Sequence, residues 1–556
     1  MKMTGGKAVA MTLIEQGCKA VFEVPGGQML SVVNSFIGTD VRVIATRHEN
    51  AACAAADNYG RVTGEPGVCF ATTGPGATNF LTAMGGALRD GSPMIAFVFQ
   101  NKSQDFGRGD VQEVDHGDIF KPICKKYIAI RKASVAPWAV REAYRVAMSG
   151  RRGPVVVDCF RDALESEEVD YEPMDPSLTR TTSQYVPAPG LIEQAADILS
   201  GYKKVAILAG GGAKMDHATD ELLRAAQLLH APVVTTHNGI SVFPTDDEHS
   251  FGARTRMATR LARETLEAAD CVLVVGSSLS AGTTARWALK MPDIVQIDIE
   301  PEQIARQYPT RLGLVGHCKL TLGLLNAALE KTVSRNDAER RAFLEERKAS
   351  RDARERELAE SPMSDATASP AAPLAVMDEL SKVIDGNTSI TCDAGTCVIW
   401  THRLKMCKGT VYNKAFNFGN MGFGIPAAIG SKVARPDMTT IAFLGDGALG
   451  MTVGELETLV RENLPVIVIV INDGAYGLIR LEQDHMFGAG PNIGTMLTPP
   501  DALDYAAVAR GFGCEAIVVN RADEIAPAVT RAKAMNRPCL IEVKFDGTHQ
   551  IFPEAF

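Results

Sequence analysis

Two acidic residues near the end of the 556-residue chain have the type and spacing of a metal-binding pair. Asp446 follows an apolar strand, and Asp473 follows a second apolar strand predicted over 465–471. Neighbouring parallel strands end at the same edge of a sheet, so the two carboxylates can converge although 27 positions separate them. Carboxylates and a main-chain carbonyl suit Mg²⁺, which prefers oxygen ligands and often shares its shell with substrate phosphates.

The residues around Asp446 add a place for phosphate. Gly445 and Gly447 carry no Cβ, so a diphosphate could approach the main chain there, with Ala448 at the start of a helix. The alternative is a pair of ordinary βα turns, because Gly-Asp-Gly and Asn-Asp-Gly are common turn tripeptides. The presence of both tripeptides at this spacing favours a metal–diphosphate site.

The composition is that of a globular enzyme: 46% of the residues are hydrophobic, 22% are charged, and the net charge is −9. An acidic chain has no electrostatic footprint for nucleic acid or for an anionic membrane surface. No apolar run has membrane-spanning length, and the start has no signal-peptide core. The 12 cysteines are scattered without a Cys-x-x-Cys pair, which predicts reduced thiols in the cytoplasm rather than disulfides or zinc ligands.

Short apolar strands alternate with helical stretches in three successive parts of the chain. This alternation predicts the α/β class, with three doubly wound parallel-sheet domains over residues 1–165, 188–335 and 373–556. The segments between them are an acidic, Pro/Ser/Thr-rich linker at 166–187 and a densely charged stretch at 335–372. The charged stretch is typical of a solvated helix followed by a flexible joint.

Several short motifs, in this order and at this spacing, extend over nearly the whole length. With them, the chain resembles thiamine-diphosphate-dependent decarboxylases and carboligases, and most closely the acetolactate synthase branch. The motifs are Val-Pro-Gly-Gly at 24–27, Arg-His-Glu-Asn-Ala-Ala at 47–52, Thr-Gly-Pro-Gly-Ala-Thr-Asn at 73–79, Val-Gln-Glu-Val-Asp at 111–115, Gly-Asn-Met-Gly-Phe-Gly-Ile-Pro at 419–426, and the loops at 445 and 472.

This resemblance implies a domain order and an assembly. The first domain would bind the pyrimidine ring of thiamine diphosphate, the second would be a central domain, and the third would bind the diphosphate. The family resemblance also implies a homodimer or homotetramer in which each active site lies between two chains. The substrate would be a small 2-oxo acid or an acyloin, since thiamine diphosphate carries the difficult electron chemistry at such carbonyl carbons.

The resemblance assigns catalytic roles to three residues. Glu49 is similar to the glutamate that hydrogen-bonds the pyrimidine ring nitrogen, a role that needs a carboxyl in an apolar setting. The alternative is a glutamate that interacts with a helix dipole. Met421 resembles the apolar residue that props the cofactor into its bent conformation, and a core methionine is the alternative. Gln112 matches a glutamine on the substrate side of the thiazolium ring, although surface glutamines are common.

The remaining implied contacts are with the cofactor and the metal. The cofactor-binding positions are Pro25, Gly26, Gly419, Met421, Gly445, Gly447 and Ala448. The implied Mg²⁺ ligands are Asp446, Asp473 and the carbonyl of Ala475. Many relatives have asparagine at the position of Asp473, and aspartate is likewise an oxygen ligand.

Three stretches depart from the acetolactate synthase pattern. Residues 276–282 lack the arginine that would anchor a second oxo acid and help to hold a flavin, which argues against bound FAD. Glu482 occupies the position of a tryptophan that shapes the acceptor pocket, and a carboxylate there repels a second anion. Thr-Cys-Val at 396–398 replaces Gln-His-Gln near the diphosphate.

The leading prediction is therefore decarboxylation of a 2-oxo acid with carboligation, of the acetolactate synthase type. Within the same chemistry the alternative is a simple 2-oxo acid decarboxylase or an acyloin or aldehyde lyase. A flavin- or nicotinamide-dependent oxidoreductase would use the glycines at 210–212, but the full nucleotide fingerprint is missing. A non-catalytic scaffold is a further alternative. His116 and His485 are candidate acid–base groups near neutral pH.

Overall fold

The chain forms three six-stranded, all-parallel sheets with helices between the strands. The computed structural model describes residues 1–181, 184–254, 260–414, 417–490, 493–499 and 501–548. The α/β class with three parallel-sheet units, predicted from the alternating pattern, is confirmed. Among the described helices, none combines the length and the apolarity needed to span a bilayer.

The first unit contains the helix that begins at Glu49. Its strands are β1 Lys2–Thr4, β2 Ala20–Glu23, β3 Arg42–Ala45, β4 Gly67–Ala71, β5 Met94–Gln100, β6 Lys126–Ile130, β7 Pro154–Phe160 and β8 Glu168–Asp170. Its helices are α1 Gly5–Glu15, α2 Leu30–Val33, α3 Glu49–Thr63, α4 Pro75–Asn79, α5 Leu81–Asp90, α6 His116–Phe120, α7 Ala136–Met148 and α8 Arg161–Glu165.

The second unit and the charged stretch after it follow in the chain. The strands are β9 Val205–Ala209, β10 Val233–Thr236, β11 Ser250–Arg254, β12 Cys271–Val275, β13 Asp293–Asp298 and β14 Leu312–Val315. The helices are α9 Pro189–Gly201, α10 Gly211–Met215, α11 Thr219–Leu229, α12 Arg260–Glu267, α13 Cys318–Thr332 and the charged helix α14 Asp337–Ala359.

The third unit contains both candidate metal-binding loops. Its strands are β15 Thr388–Cys392, β16 Val411–Asn413, β17 Thr439–Gly445, β18 Val466–Asn472, β19 Glu515–Val519 and β20 Cys539–Lys544. Its helices are α15 Pro373–Ser381, α16 Cys397–Trp400, α17 Gly424–Ala434, α18 Asp446–Thr452, α19 Glu455–Arg461, α20 Gly477–Phe487, α21 Tyr505–Gly511 and α22 Ile525–Met535.

The first and third sheets have the same strand order. The first runs β3-β2-β4-β5-β7-β6, and the third runs β16-β15-β17-β18-β20-β19. The central sheet instead runs β11-β10-β9-β12-β13-β14. Ligands of open α/β sheets bind beyond the carboxyl ends of the strands, where the strand order reverses. These switch points lie between β2 and β4, between β9 and β12, and between β15 and β17.

The first and third units share one apolar core. Helices α3 and α17 pack against each other, and the buried residues around them include Ala52, Ala55, Phe423 and Ala428. Asn58 in α3 donates hydrogen bonds to the carbonyl oxygen of Ala427 and to the hydroxyl of Ser431, both at 2.7 Å. The alanines of α3 thus serve close helix packing as well as the start of the helix.

The segment predicted as a linker at 166–187 contains a short strand. Strand β8 pairs antiparallel with β1 at the start of the chain, and Tyr171 packs with Met3 and Ala8 in a small cluster. The acidic, proline-rich composition concealed this strand because three residues carry little periodicity.

Glu23, the last residue of β2, is buried, and its Oε2 atom has no hydrogen-bond partner among the described residues. Burial raises the pKa of this carboxyl from 4.5 to about 7. The protonated carboxyl therefore stabilises the folded chain at pH values below the pKa that Glu23 has in the unfolded chain. This stability is lost as the pH rises through the pKa that Glu23 has in the folded chain.

We expect Glu23→Gln to make thermal unfolding less sensitive to pH. Relative to wild type, the variant should gain up to about 3 kcal/mol between about pH 5 and pH 8, because it has no proton to lose. Unfolding midpoints of both proteins at the two pH values test this. An identical loss of stability in both proteins would show that Glu23 titrates normally.

Candidate active site

The first half of the candidate site lies at the carboxyl edge of the first sheet. Glu49 is the first residue of α3, and its Oε2 atom accepts a hydrogen bond of 2.9 Å from Nδ2 of Asn79. A Cβ placed on Gly76 would lie 3.4 Å from Oε1 of Glu49. One carboxylate oxygen is therefore fixed by an amide, while the other lies beside a residue without a side chain.

Gly26 and Gln112 come together around the segment 72–79 that follows β4, and Pro25 directly precedes Gly26. The Cα of Gly26 packs against Thr72, whose hydroxyl donates to Gln28 at 2.5 Å. The carbonyl of Gln112 accepts from the hydroxyl of Thr73 at 3.3 Å. The structure thus brings these predicted residues to the same sheet edge as Glu49.

The loop with Gln112 is held in an unusual conformation. Gln112 has a φ of 61°, and its side chain is exposed. Gly74, which also has a φ of 61°, allows this approach, since a Cβ there would lie 2.2 Å from the Gln112 carbonyl oxygen. Glu113 accepts hydrogen bonds from the N–H groups of Gly107, Gly109 and Asp110.

His116 contacts Gly74, the residue against which this loop packs. Its ring is buried, with Nδ1 at 3.0 Å from the Asp158 carboxylate, and its Nε2 accepts from the N–H of Gly74 at 3.4 Å. Both ring nitrogens thus have partners, Asp158 and the N–H of Gly74, and the acid–base role of His116 stays a prediction. His485 lies exposed on α20.

The second half of the candidate site lies at the carboxyl edge of the third sheet. Strands β17 and β18 are neighbours, with Gly445 opposite Ile471, so Asp446 and Asp473 leave the sheet side by side. Burial and the negative charge of Asp473 raise the pKa of Asp446 to about 7, although the N–H groups of Gly447 and Gly474 lower it in part. The Asp473 carboxylate lies 3.6 Å from the Arg480 guanidinium.

These atoms fit a divalent cation. The Oδ2 atom of Asp446 is buried and finds no hydrogen-bond partner in the part of the chain that the structure describes, while its Oδ1 accepts from the N–H of Gly447 at 2.9 Å. An unpartnered buried carboxylate oxygen is costly unless a cation or proton meets it. Ala475, whose carbonyl is the third predicted ligand, is buried in the next loop.

The main chain beside Asp446 has room for a diphosphate. A Cβ on Gly445 would meet no atom of the described residues within 4 Å, so the space beside its Cα is open. Gly447 instead packs under the ring of Tyr476, and a Cβ on this glycine would lie 2.8 Å from ring carbons. Gly447 and Ala448 belong to the first turn of α18, where main-chain N–H groups lack partners within the helix.

Gly419 and Met421 lie in the loop before α17, and sequence reasoning missed the residue that holds this loop. Asp393, which follows β15, accepts hydrogen bonds from the N–H groups of Ala394 at 2.8 Å, Gly422 at 3.0 Å and Gly424 at 2.7 Å. Burial raises the pKa of Asp393 to about 6. An aspartate directly after a strand, as at Asp446, was the available signal.

We expect Asp393→Ala to weaken cofactor binding by about tenfold or more, because three N–H groups lose their acceptor and the Met421 loop loosens. Titration calorimetry with thiamine diphosphate and Mg²⁺ measures this. Asp385→Ala is the matched control, since Asp385 binds Asn387 and Thr388 at the opposite end of the same strand. Equal losses of affinity in both variants would contradict the role of Asp393.

Within one chain, Glu49 and the residue that precedes α17 lie towards opposite ends of α3. Helices α3 and α17 run antiparallel, because Gly430 packs against Ala55 whereas Phe423 lies 5.4 Å from the guanidinium of Arg61. Glu49 begins α3, and Arg61 lies 12 residues further on, so about 18 Å of helix separates them. Phe423, the last residue before α17, therefore contacts the end of α3 opposite to Glu49.

Three family models match the chain in order. They are the N-terminal thiamine pyrophosphate binding domain at residues 3–119, the central domain of thiamine pyrophosphate enzymes at 192–325, and the C-terminal thiamine pyrophosphate binding domain at 393–543. A probable acetolactate synthase large subunit of Methanocaldococcus jannaschii is 32% identical over 98% of this chain and 92% of its own length.

The chain belongs to the thiamine pyrophosphate enzyme family, in its acetolactate synthase-like branch. Similar relatives include the acetolactate synthase large subunit of Corynebacterium glutamicum, at 31% identity over 99% of this chain and 88% of that protein. Another is the acetolactate synthase isozyme 3 large subunit of Escherichia coli, at 28% identity over 99% of this chain and 96% of that protein. The resemblance predicted from the motifs is confirmed, and with it thiamine-diphosphate-dependent decarboxylation and carboligation.

In this thiamine pyrophosphate enzyme the central unit has a cavity at its own switch point. The cavity measures about 980 Å³ and is lined by Gly211, Ser277 and Asp298, together with arginines of the first unit. A Cβ on Gly210 would lie 2.2 Å from the carbonyl oxygen of Gly276. The glycines at 210–212 thus allow two βα turns to pack together.

Two of the three positions that depart from the family pattern border the second half-site. Glu482 lies partly buried on α20, the helix that follows the Asp473 loop. Thr396 packs against Gly477 at the start of that helix. Both positions are therefore next to the candidate metal loop.

Proposed function

We propose that this chain is a thiamine-diphosphate- and Mg²⁺-dependent enzyme that decarboxylates a 2-oxo acid and joins the remaining acyl group to a carbonyl acceptor. The observation that supports this most strongly is the pair of half-sites, each at the carboxyl edge of a parallel sheet, one with Glu49 and one with Asp446 and Asp473. The relatives named acetolactate synthase support the same reaction class.

Within this proposal, the third unit binds the charged end of the cofactor. Asp446, Asp473 and the carbonyl of Ala475 would hold Mg²⁺, and the main chain at Gly447 and Ala448 would hold phosphate. The Oδ2 of Asp446, which no described residue hydrogen-bonds, supports this assignment. Arg480 beside Asp473 offsets the second carboxylate, so the extra charge relative to asparagine is balanced locally.

Glu49 is the proposed proton-handling group at the other end of the cofactor. Asn79 holds Oε2, which leaves Oε1 to share a proton with a pyrimidine ring nitrogen. The Met421 side chain would support the bent cofactor, and the exposed amide of Gln112 would orient the substrate. When bound, thiamine diphosphate supplies a thiazolium ring that stores the electron pair released on loss of CO₂.

A complete site requires two chains in this proposal. Because Phe423, which follows the Met421 loop, contacts the end of α3 opposite to Glu49, we propose that Glu49 acts on a cofactor held by a partner copy. We therefore propose a homodimer, or a homotetramer built from such dimers.

The 12 free cysteines suit the predicted reducing cytoplasm.

A panel of 2-oxo acids, supplied with thiamine diphosphate and Mg²⁺, tests the proposal through CO₂ release and product mass. A product that joins two acyl units is expected and indicates carboligation. An aldehyde as the sole product would instead indicate the simple decarboxylase or lyase. Absence of CO₂ release with all acids, from folded protein that binds the cofactor, would contradict the proposed reaction.

A further inference from the structure

We propose that Glu455 is a positioning residue for Glu49, acting from the third unit on the turn that leads into α3. This role rests on the proposed function, because it matters for catalysis only if Glu49 acts on the cofactor. Glu455 itself lies outside both groups of residues assigned to the cofactor and the metal.

The contact joins residues that are far apart in the sequence. Both carboxylate oxygens of Glu455 accept from the N–H of Arg47, at 3.0 and 3.2 Å, across 408 positions. One of them, Oε2, also accepts from the hydroxyl of Thr458 at 2.7 Å, which fixes the rotamer from within α19. The side chain is 2% exposed, so water does not compete for these bonds.

The position of this contact determines where α3 begins. Arg47 comes two residues before Glu49, and His48 is the N-cap of the helix, with Nδ1 accepting from the N–H of Asn50 at 3.1 Å. A displaced turn would therefore displace the Glu49 carboxyl and its bond to Asn79. A displacement of about 1 Å at a catalytic group can cost about 100-fold in rate.

The rest of the turn is held from both sides. The N–H of Thr46 donates to the carbonyl of Glu23 at 2.8 Å, within the first unit. From the third unit, Arg461 donates to the carbonyl of Ala45. Of these cross-unit bonds, the one from Glu455 is closest in sequence to Glu49.

A helix-dipole role for Glu455 explains less of the geometry. Glu455 begins α19, and an acidic residue in a first turn favours the helix without needing burial. Burial raises the pKa of Glu455 to about 7, although hydrogen bonds from Thr458 and Arg47 lower it in part. A carboxyl held in such a costly place, with both oxygens directed to another unit, fits a contact between units.

Variants at Glu455 in the full-length protein test this role. Glu455→Ala removes the acceptor, Glu455→Gln keeps one carbonyl oxygen for the Arg47 N–H, and Glu515→Gln in the same unit is the control. Glu515 pairs with the Arg537 guanidinium at 2.8 Å and is partly exposed. The readouts are amide hydrogen exchange at residues 45–50, kcat and KM, and deuterium exchange at the reactive thiazolium carbon of added cofactor.

We expect Glu455→Ala to speed amide exchange at residues 45–50 and to lower kcat and thiazolium exchange by about tenfold or more, with the KM for the cofactor changed less than about threefold. Glu455→Gln should retain most of the activity, and Glu515→Gln should match wild type. In a Glu49→Gln background, Glu455→Ala should add little, because the effect passes through Glu49.

Two results would overturn the role of Glu455. One is wild-type kcat and thiazolium exchange in Glu455→Ala. The other is an equal further loss in the Glu49→Gln background, which would indicate general damage. Failure of the proposed function is distinguishable: the wild-type protein would then leave the thiazolium carbon unexchanged, although Glu455→Ala still loosens the amides at 45–50.

Discussion

Replacement of Glu49 by glutamine should lower kcat by about 10² to 10⁴, the usual worth of a positioned acid–base group. Glutamine has nearly the same shape and can still accept from Asn79, but it cannot share a proton with the pyrimidine ring nitrogen. Steady-state kinetics with an accepted 2-oxo acid measure the loss. Binding of thiamine diphosphate with Mg²⁺, followed by calorimetry, should remain close to wild type.

The control for this variant is Glu65→Gln. Glu65 follows the other end of α3 and forms an exposed pair with Arg180. Its replacement should leave kcat unchanged. Unchanged turnover in Glu49→Gln, with folded and cofactor-loaded protein, would refute the catalytic role of Glu49.

Replacement of Asp446 by alanine should instead abolish cofactor binding. Loss of residues that merely support a metal ligand often costs 10- to 100-fold in affinity, so loss of a ligand should cost about 100-fold or more. Calorimetric titration with thiamine diphosphate in the presence of Mg²⁺ measures this affinity. Asp473→Asn should bind nearly as well as wild type, because an amide oxygen can still coordinate the ion.

The control for Asp446 lies at the opposite end of the same strand. Asp437 precedes β17 and pairs with Arg435 in an exposed turn at 3.0 Å. Asp437→Asn should bind the cofactor as wild type does. Wild-type affinity in Asp446→Ala would rule out the proposed metal site.

The sequence predicted the interior of each sheet better than its edges. Val205–Ala209 and Cys271–Val275 are continuous apolar runs at central positions of the second sheet, and such runs identify buried strands directly. The strands that are harder to recognise from the sequence include Lys126–Ile130, Ser250–Arg254 and Leu312–Val315. Each of these three lies at the edge of its sheet, where a glycine or a charged residue shortens the apolar run.

The same distinction holds for the candidate site. The approach of Asp446 and Asp473 could be predicted because it follows from two adjacent parallel strands. The contacts of Asp393 and Glu455 could not, since they join main-chain groups that lie 29 and 408 positions away along the chain. Such contacts leave no spacing pattern in one sequence. The catalytic and metal-binding roles themselves remain predictions.

A hybrid dimer tests most directly the claim that two chains complete each site. One chain would carry Glu49→Gln and the other Asp446→Ala, with different affinity tags so that only the mixed dimer is purified. Sites shared between chains give one site with both defects and one intact site, so we predict about half of the wild-type activity. A mixed dimer as inactive as the two parent variants would show that Glu49 and Asp446 of the same chain act together, and would contradict this account.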